Sequence, residues 1–281
     1  MRAPAIAYSQ LWRIATGVLV AVSRGSLLVL VVALLFFETR FDNPLRLLRT
    51  FVAISLAPGM AAWLLARAFA ATVALEGGML VIQRRDQRIE IPCDAIVDLV
   101  PWTIPLPAGG LWLRLRSGRR FGYGLQVPDP SAFAEALADA GAAEGVRATS
   151  QHPAALYARS QAGAPRRWFH PLLTFVAFAL VPAVPLFRLH QWIAYGGTFG
   201  EYYTYGLQAY LLGFAIYWVT FTIYLVLYAA VLRATAEIVV VVTVWSAPGW
   251  VRKVRRIVEM TRRILYFGGI PVFLVQVALL S

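Results

Sequence analysis

Five stretches of the chain are apolar for long enough to cross a bilayer as helices, which takes about 20 residues each. They fall at about residues 20–37, 51–74, 168–189, 207–232 and 264–280. Only Arg24 interrupts the first, about one turn from its end, where a long side chain reaches back to the interface. Ahead of it, Leu11, Trp12, Ile14 and Val18 around Arg13 predict an interfacial helical turn. Residues 14–23 have the apolarity of a weak signal-peptide core, but the apolar run continues, which predicts an uncleaved span. The second span contains Pro58-Gly59, which predicts a kink, and the short connection 38–44 makes the first two a helical hairpin. Pro182 and Pro185 lie inside the third, so neighbouring helices or water must satisfy the carbonyls they free. The loop 190–206 that follows carries Trp192, Tyr195, Tyr202, Tyr203 and Tyr205, the density of an interfacial aromatic belt.

Residues 75–167 have a different pattern. The run 71–82 is apolar and broken at Glu76-Gly77-Gly78, and a polar turn at 84–87 leads into Arg88-Ile89-Glu90-Ile91-Pro92, which alternates with period two. Residues 95–100 continue it. Leu111, Leu113 and Leu115 share one face of a further strand whose other face carries Trp112, Arg114 and Arg116. Ser117-Gly118 makes the turn, and 119–123 returns. Asp129-Pro130 and Gly141 bracket a short helix with Phe133 and Leu137 on one face. Residues 142–167, with Pro153 and Pro165, have linker composition. Residues 236–245, Ala-Glu-Ile-Val-Val-Val-Val-Thr-Val-Trp, are β-branched but too short to span. Three readings stay open for them: a prolongation of the fourth helix, a re-entrant piece, or a strand.

Composition turns this pattern into a class. The 281 residues are 59% hydrophobic and 14% charged, with a mean hydropathy of +0.65. Soluble domains are nearer a quarter charged, so an ordinary soluble enzyme, a disordered chain and a disulfide scaffold are excluded. Cys93 stands alone, which leaves no intramolecular disulfide and no cysteine-rich metal site. The net charge is +12, and all but one of the 26 cations are arginine. That usage points to a GC-rich bacterial genome. Most of the cations flank apolar runs, as positive-inside topology requires, so the charge predicts membrane placement and no nucleic-acid partner. Residues 250–263 hold six cations against Glu259 alone, whereas the loop after the third span is balanced. Five spans with a cytoplasmic N-terminus therefore put 75–167 and 250–263 inside; the arginines of the first loop dissent mildly.

The insert resembles the bacterial pleckstrin-homology-like domains of small membrane proteins, which often follow a transmembrane hairpin. The residues that carry the resemblance are Leu75-Glu76-Gly77-Gly78-Met79-Leu80-Val81-Ile82, then Arg88-Ile89-Glu90-Ile91-Pro92-Cys93-Asp94-Ala95-Ile96, then Leu111 to Phe121. Resemblance over about 71–140 implies a small β-rich fold that binds or oligomerises rather than catalyses. The insert alone is short of strands for a complete pleckstrin-homology barrel, unless residues 238–245 supply one. The expected fold class is thus a mainly α-helical polytopic membrane protein of about five transmembrane helices with an inserted pleckstrin-homology-like cytoplasmic domain. Its parts are a hairpin at 1–74, the β domain at 75–141, a linker at 142–167, and a C-terminal transmembrane region at 168–281 containing a basic segment at 249–263.

Several clusters can carry chemistry. His170, His190 and Glu201 lie near the third span and its loop and suit a metal or general-base site, or interfacial polar residues; a span's length between the histidines favours the latter. His152 falls in the linker, where it is expected to be solvated. Arg233 and Glu237 are four apart and would pair on a helix, as a functional intramembrane pair or as headgroup-layer residues. Arg114, Arg116, Arg119 and Arg120, with Arg84, Arg85 and Arg88 on a second tip, suit anionic headgroups, a partner or a solvated face. Arg252, Lys253, Arg255 and Arg256 alternate with Val251, Val254, Ile257 and Val258, which predicts an amphipathic surface helix binding phospholipid. No phosphate-binding loop, dinucleotide fingerprint, nucleophile elbow or zincin motif occurs, and no cofactor is predicted. The expectation is a non-catalytic scaffold, assembly or regulatory protein of the bacterial inner membrane. Its β domain would bind a partner or itself at the cytoplasmic face. The alternative is a membrane-embedded lipid-handling enzyme or transporter, with a site near the Tyr-rich loop and Arg233/Glu237.

Overall fold

A computed structural model describes residues 1–36, 43–85, 87–162 and 171–280, with side chains through Val272. The expected connection at 38–44 thus falls mostly outside the described residues, as do Asp86 and His170 and the side chains that complete the fifth span. The chain is 69% helical. Among the described residues, four helical segments are long and apolar enough to cross a membrane: Gln10–Phe36, Pro44–Ala68, Leu172–Tyr195 and Gly200–Ser246. The chain divides into two compact units. One comprises Met1–Ser23, Ala57–Ala164 and Glu237–Arg256; the other comprises Arg24–Leu56, Pro165–Ala236 and Ile257–Ser281.

The first unit is built on a curled antiparallel sheet of seven strands: β1 (Arg2–Tyr8), β2 (Ala70–Glu76), β3 (Met79–Arg84), β4 (Gln87–Pro92), β5 (Ile96–Pro101), β6 (Leu111–Leu115) and β7 (Gly124–Gln126). Their order is β4-β3-β2-β1-β7-β6-β5. The edge strands β4 and β5 are joined by the single turn Cys93–Ala95, so the two edges meet at one corner. Gly77 and Gly78, both at positive φ, make the tight β2–β3 turn. Inside the curl, Leu80, Ile82, Ile96, Leu99, Leu111, Leu113 and Leu125 form the core.

The chain N-terminus supplies the central strand, which sequence patterning did not anticipate. In β1, Ala3, Ala5 and Ala7 alternate into the core, but alanine and Pro4 are poor strand formers. Pro4 is tolerated because β1 has only β2 beside it there; pairing with β7 begins at Ile6. Residues 238–245, one candidate for the missing strand, are helical. The hairpin of helices therefore departs from β1 and re-enters at β2, two strands that pair with each other. Only Ser9 separates β1 from α1 (Gln10–Phe36), and only Phe69 separates α3 (Ala57–Ala68) from β2. The Ala7 amide donates to the Phe69 carbonyl at 3.0 Å, fastening the two ends together.

One helix, α4 (Pro130–Asp139), closes the core with Phe133, Ala134 and Leu137. Its signals work as expected: the Asp129 carboxylate accepts from the Ala132 amide at 3.0 Å, Pro130 occupies the first turn, and Gly141 turns the chain at φ 101. The segment expected as a linker is packed. It forms α5 (Glu144–Ala148), a 3-10 turn at Thr149–Gln151 and α6 (Pro153–Ala162). Val146 enters the core, and the Thr149 hydroxyl donates to the Leu99 carbonyl. The buried positions of α6 are Ala155 and Ala158, too small to produce a visible apolar stripe. The return after Ser117-Gly118 is also less regular than expected: Arg120 bridges Arg114, and the strand proper begins at Gly124.

In the second unit, π turns replace simple proline kinks. A π turn at Val52–Leu56 follows α2 (Pro44–Phe51) and precedes Pro58. Pro58 has no N–H for the Ile54 carbonyl four residues earlier. Ser26 of α1 donates to that carbonyl at 2.9 Å. A second π turn, Leu172–Ala177, precedes α7 (Leu180–Tyr195). Trp218 donates to the Val176 carbonyl and Tyr266 to that of Thr174, both at 2.8 Å. Neighbouring helices thus supply donors to the π turn that precedes Pro182 and Pro185. Helix α8 (Gly200–Ser246) is broken at Gly206 and then runs on unbroken through residues 236–245. From the break it extends about 60 Å, twice a hydrocarbon core. The prolongation reading is the one observed. Helix α9 (Val251–Leu280) joins the basic segment to the last apolar stretch without a break.

Candidate functional site

Two groups of arginines belong to the first unit, and their surroundings differ. In the prolonged end of α8, Glu237 faces α9 and α6. Its carboxylate accepts from Arg255 twice, Nη1 to Oε2 at 2.7 Å and Nη2 to Oε1 at 3.0 Å, a bidentate geometry. The Tyr157 hydroxyl donates to the same carboxylate at 2.9 Å, and Gln161 reaches it at 3.5 Å. The Glu237 and Arg255 side chains are largely buried, at 21% and 17% exposure. Beside them Val240, Val244 and Val251 pack with Tyr157 in a small apolar cluster. This knot ties α6 to two consecutive helices, α8 and α9, that lie some eighty residues further along the chain. Arg233, the partner suggested by helical spacing, lies one turn earlier on the same helix.

The basic segment is accordingly split in use. Arg255 is committed to Glu237, and Val251 is covered by α8 rather than by lipid. Arg252, Lys253 and Arg256 remain exposed, with the Lys253 ammonium 4.7 Å from the Trp250 ring centroid. Further along, Arg262 pairs with Glu259.

The second group is the β6–β7 hairpin. Arg114, Arg116, Arg119 and Arg120 are all exposed. Arg114 and Arg120 face each other directly across the ladder, a like-charge pairing that disfavours the hairpin. Asp98 lies 3.9 Å from Arg114, and Arg116 donates to the Asp94 carbonyl at 2.7 Å. The strand carries these charges away from Arg13 of α1: Trp112 lies 5.8 Å from the Arg13 guanidinium, and Arg116 is about 13 Å further along. On the other tip, Arg84 lies over Phe69 and Tyr123, and Arg88 pairs with Glu76 and Glu90.

The remaining candidates have structural surroundings. In the second unit, fully buried Gln191 donates to Glu201 at 2.6 Å and accepts from its amide at 3.1 Å. His190 packs 5.5 Å from the Tyr217 ring. The Nδ1 atom of His152 accepts from the Ala154 amide at the start of α6. Cys93 is fully buried; burial, and then the Asp94 charge, raises its pKa, which disfavours the thiolate. Among the described residues, no group of three or more His, Cys, Asp or Glu is placed to hold a metal ion. Sequence reasoning missed Tyr157 and Gln161, which come from the supposed linker, and the pairing of Arg255 with Glu237, which spans a turn between two helices.

Comparison of the chain with protein families, curated proteins and solved structures finds no match.

Proposed function

We propose that this is a multi-pass membrane protein of the bacterial inner membrane whose pleckstrin-homology-like domain is a docking module, held at the cytoplasmic face for an acidic protein partner or a second copy. Seven antiparallel strands and one closing helix support the pleckstrin-homology-like reading, with β1 making up the strand that the insert lacks. The orientation draws support from the grouping of Glu237–Arg256 with the sheet in one unit. The basic stretch and the domain then share one face, which positive-inside topology makes the cytoplasmic one. Arg252, Lys253 and Arg256 suit that leaflet's anionic headgroups, at about 1 kcal/mol each.

The observation that carries the docking role is the Arg114–Arg120 pair. Two arginines set directly opposite each other in the open are destabilising where they stand, and an acidic surface brought against them removes the repulsion. Glu237 and Glu201, on which the lipid-handling alternative would rely, are both engaged in ties between helices.

The test is purification of the full chain from its own membrane in nanodiscs, followed by identification of co-eluting protein. The wild type retains a stoichiometric partner or a second copy, and retention falls as salt rises. Arg114→Glu with Arg120→Glu abolishes it. Equal retention by that double variant contradicts the proposal.

A further inference from the structure

Helix α8 is apolar on every side where it continues beyond the fourth span. From Ala234 to Ser246 its single charged residue is Glu237. A helix that is apolar all round has to be covered all round. One side is covered from within the chain: Val240 and Val244 are buried with Val251 and Tyr157, and Glu237 turns the same way to meet Arg255. At 3.6 residues per turn, Ile238, Val242 and Trp245 point to the opposite side. They are 64%, 59% and 69% exposed, and Val239 and Val241 are exposed beside them.

With the fourth span placed as the sequence reads it, lipid does not reach that face. Helix α8 breaks at Gly206, next to the Tyr-rich segment, and Ile238 is about 48 Å of helix from the break. A bilayer measures about 30 Å in its hydrocarbon and about 40–45 Å with both headgroup layers. Ile238 to Trp245 therefore lie past the headgroups, beyond the exposed Arg233.

Two copies in one membrane share its direction, so a symmetric pair has its two-fold axis along the bilayer normal. Helix α8 of one copy then runs parallel to α8 of the other, and each residue of the seam meets its own counterpart. A seam of that kind has to be free of charge, because every charge would oppose itself. The α8 face meets this condition. The nearby cations Arg252, Lys253 and Arg256 belong to α9, which Val251 and Arg255 hold against the covered side of α8. Ile238, Val242 and Trp245 also recur at intervals of four and three residues, the spacing of a two-helix seam. The five exposed side chains offer about 500 Å² per copy, so a pair buries about 1,000 Å², which is what a specific interface needs. We infer that Ile238, Val239, Val241, Val242 and Trp245 pack on the same face of a second copy, joining two chains in parallel along α8. The inference rests on the membrane placement of α8 and uses no residue of the β6–β7 hairpin.

Cysteine crosslinking of the full chain in its native membranes tests it; the native Cys93 is fully buried and stays unreactive. Val242→Cys should form a disulfide-linked dimer at least about tenfold faster than Arg252→Cys, which is equally exposed to oxidant but lies on α9. Carried in a Trp245→Cys chain, Val242→Arg and Val242→Glu should each abolish the crosslink by setting like charges face to face. Co-expression of the two should restore it, because the opposite charges then meet. Equal rates at 242 and 252, or a crosslink indifferent to both charges, overturns pairing through this face. Loss in both single variants with no recovery on co-expression overturns direct contact at Val242, and a crosslink to another protein instead overturns the choice of occupant. In the Val242→Arg chain, Ile238→Cys should react with a membrane-impermeant maleimide in inside-out vesicles. Protection there would put the face in lipid and overturn the membrane placement itself.

Discussion

Arg255 and Arg120 carry the same group in opposite settings. Arg255 is largely buried, fixed by two hydrogen bonds to one carboxylate, and shares that carboxylate with a tyrosine and a glutamine from the insert. Arg120 is exposed and stands across from another arginine. A buried, fully engaged ion pair fixes an arrangement of helices, and breaking it leaves an uncompensated charge. An exposed like-charge pair fixes nothing and leaves its potential available outside the molecule. The difference separates residues that hold the protein together from residues that face something else.

Glu237→Gln should show the largest effect on folding. It leaves Arg255 without its counter-ion and should lower stability by about 2–3 kcal/mol, the lower end for a buried pair because a fifth of each side chain is exposed. Thermal melts of purified protein measure this, and partner retention should survive in the folded fraction. A change below about 0.5 kcal/mol would reduce the knot to an ordinary surface pair. Arg114→Glu with Arg120→Glu should do the converse, reducing partner retention by at least about tenfold, or about 1.4 kcal/mol, while the melt stays within about 0.5 kcal/mol. Exchanging the knot's charges, Glu237→Arg with Arg255→Glu, should recover about 1 kcal/mol relative to Glu237→Arg alone, because the pair is restored but the Tyr157 donor then faces a guanidinium. Last, Arg88→Gln breaks exposed pairs with Glu76 and Glu90 and should move the melt by less than about 0.5 kcal/mol. A larger shift there would mean that exposure is a poor guide to role in this unit.

What could be read from the sequence follows the strength of its physical signals. Long apolar runs, the Gly77-Gly78 turn and the Asp129–Gly141 helix each announce themselves through length, backbone demand or capping, and each is present. Strand β1 was hidden because its inward residues are alanines and it holds a proline, with its partners more than sixty positions away. Helix α6 was hidden for the same reason, since Ala155 and Ala158 bury little surface and leave no stripe. At the knot, Glu237 was visible as a charge beside an apolar run, and helical spacing reaches only Arg233 on its own helix. Helix α8 also continues, turns at Ala247–Trp250 and brings Arg255 alongside Glu237, a pairing that spacing does not reveal. Spacing rules reach one turn of one helix; a pair between two helices depends on how the chain folds back.

The most direct measurement is site-specific photocrosslinking from Ser117, at the exposed turn between Arg116 and Arg119, in intact native membranes. A docking module predicts a discrete crosslink to one acidic protein or to a second copy, lost when Arg114 and Arg120 are both reversed to glutamate and kept when Glu237 is glutamine. Crosslinks to lipid alone, or a protein crosslink indifferent to the arginine reversal, would contradict a docking role for this hairpin.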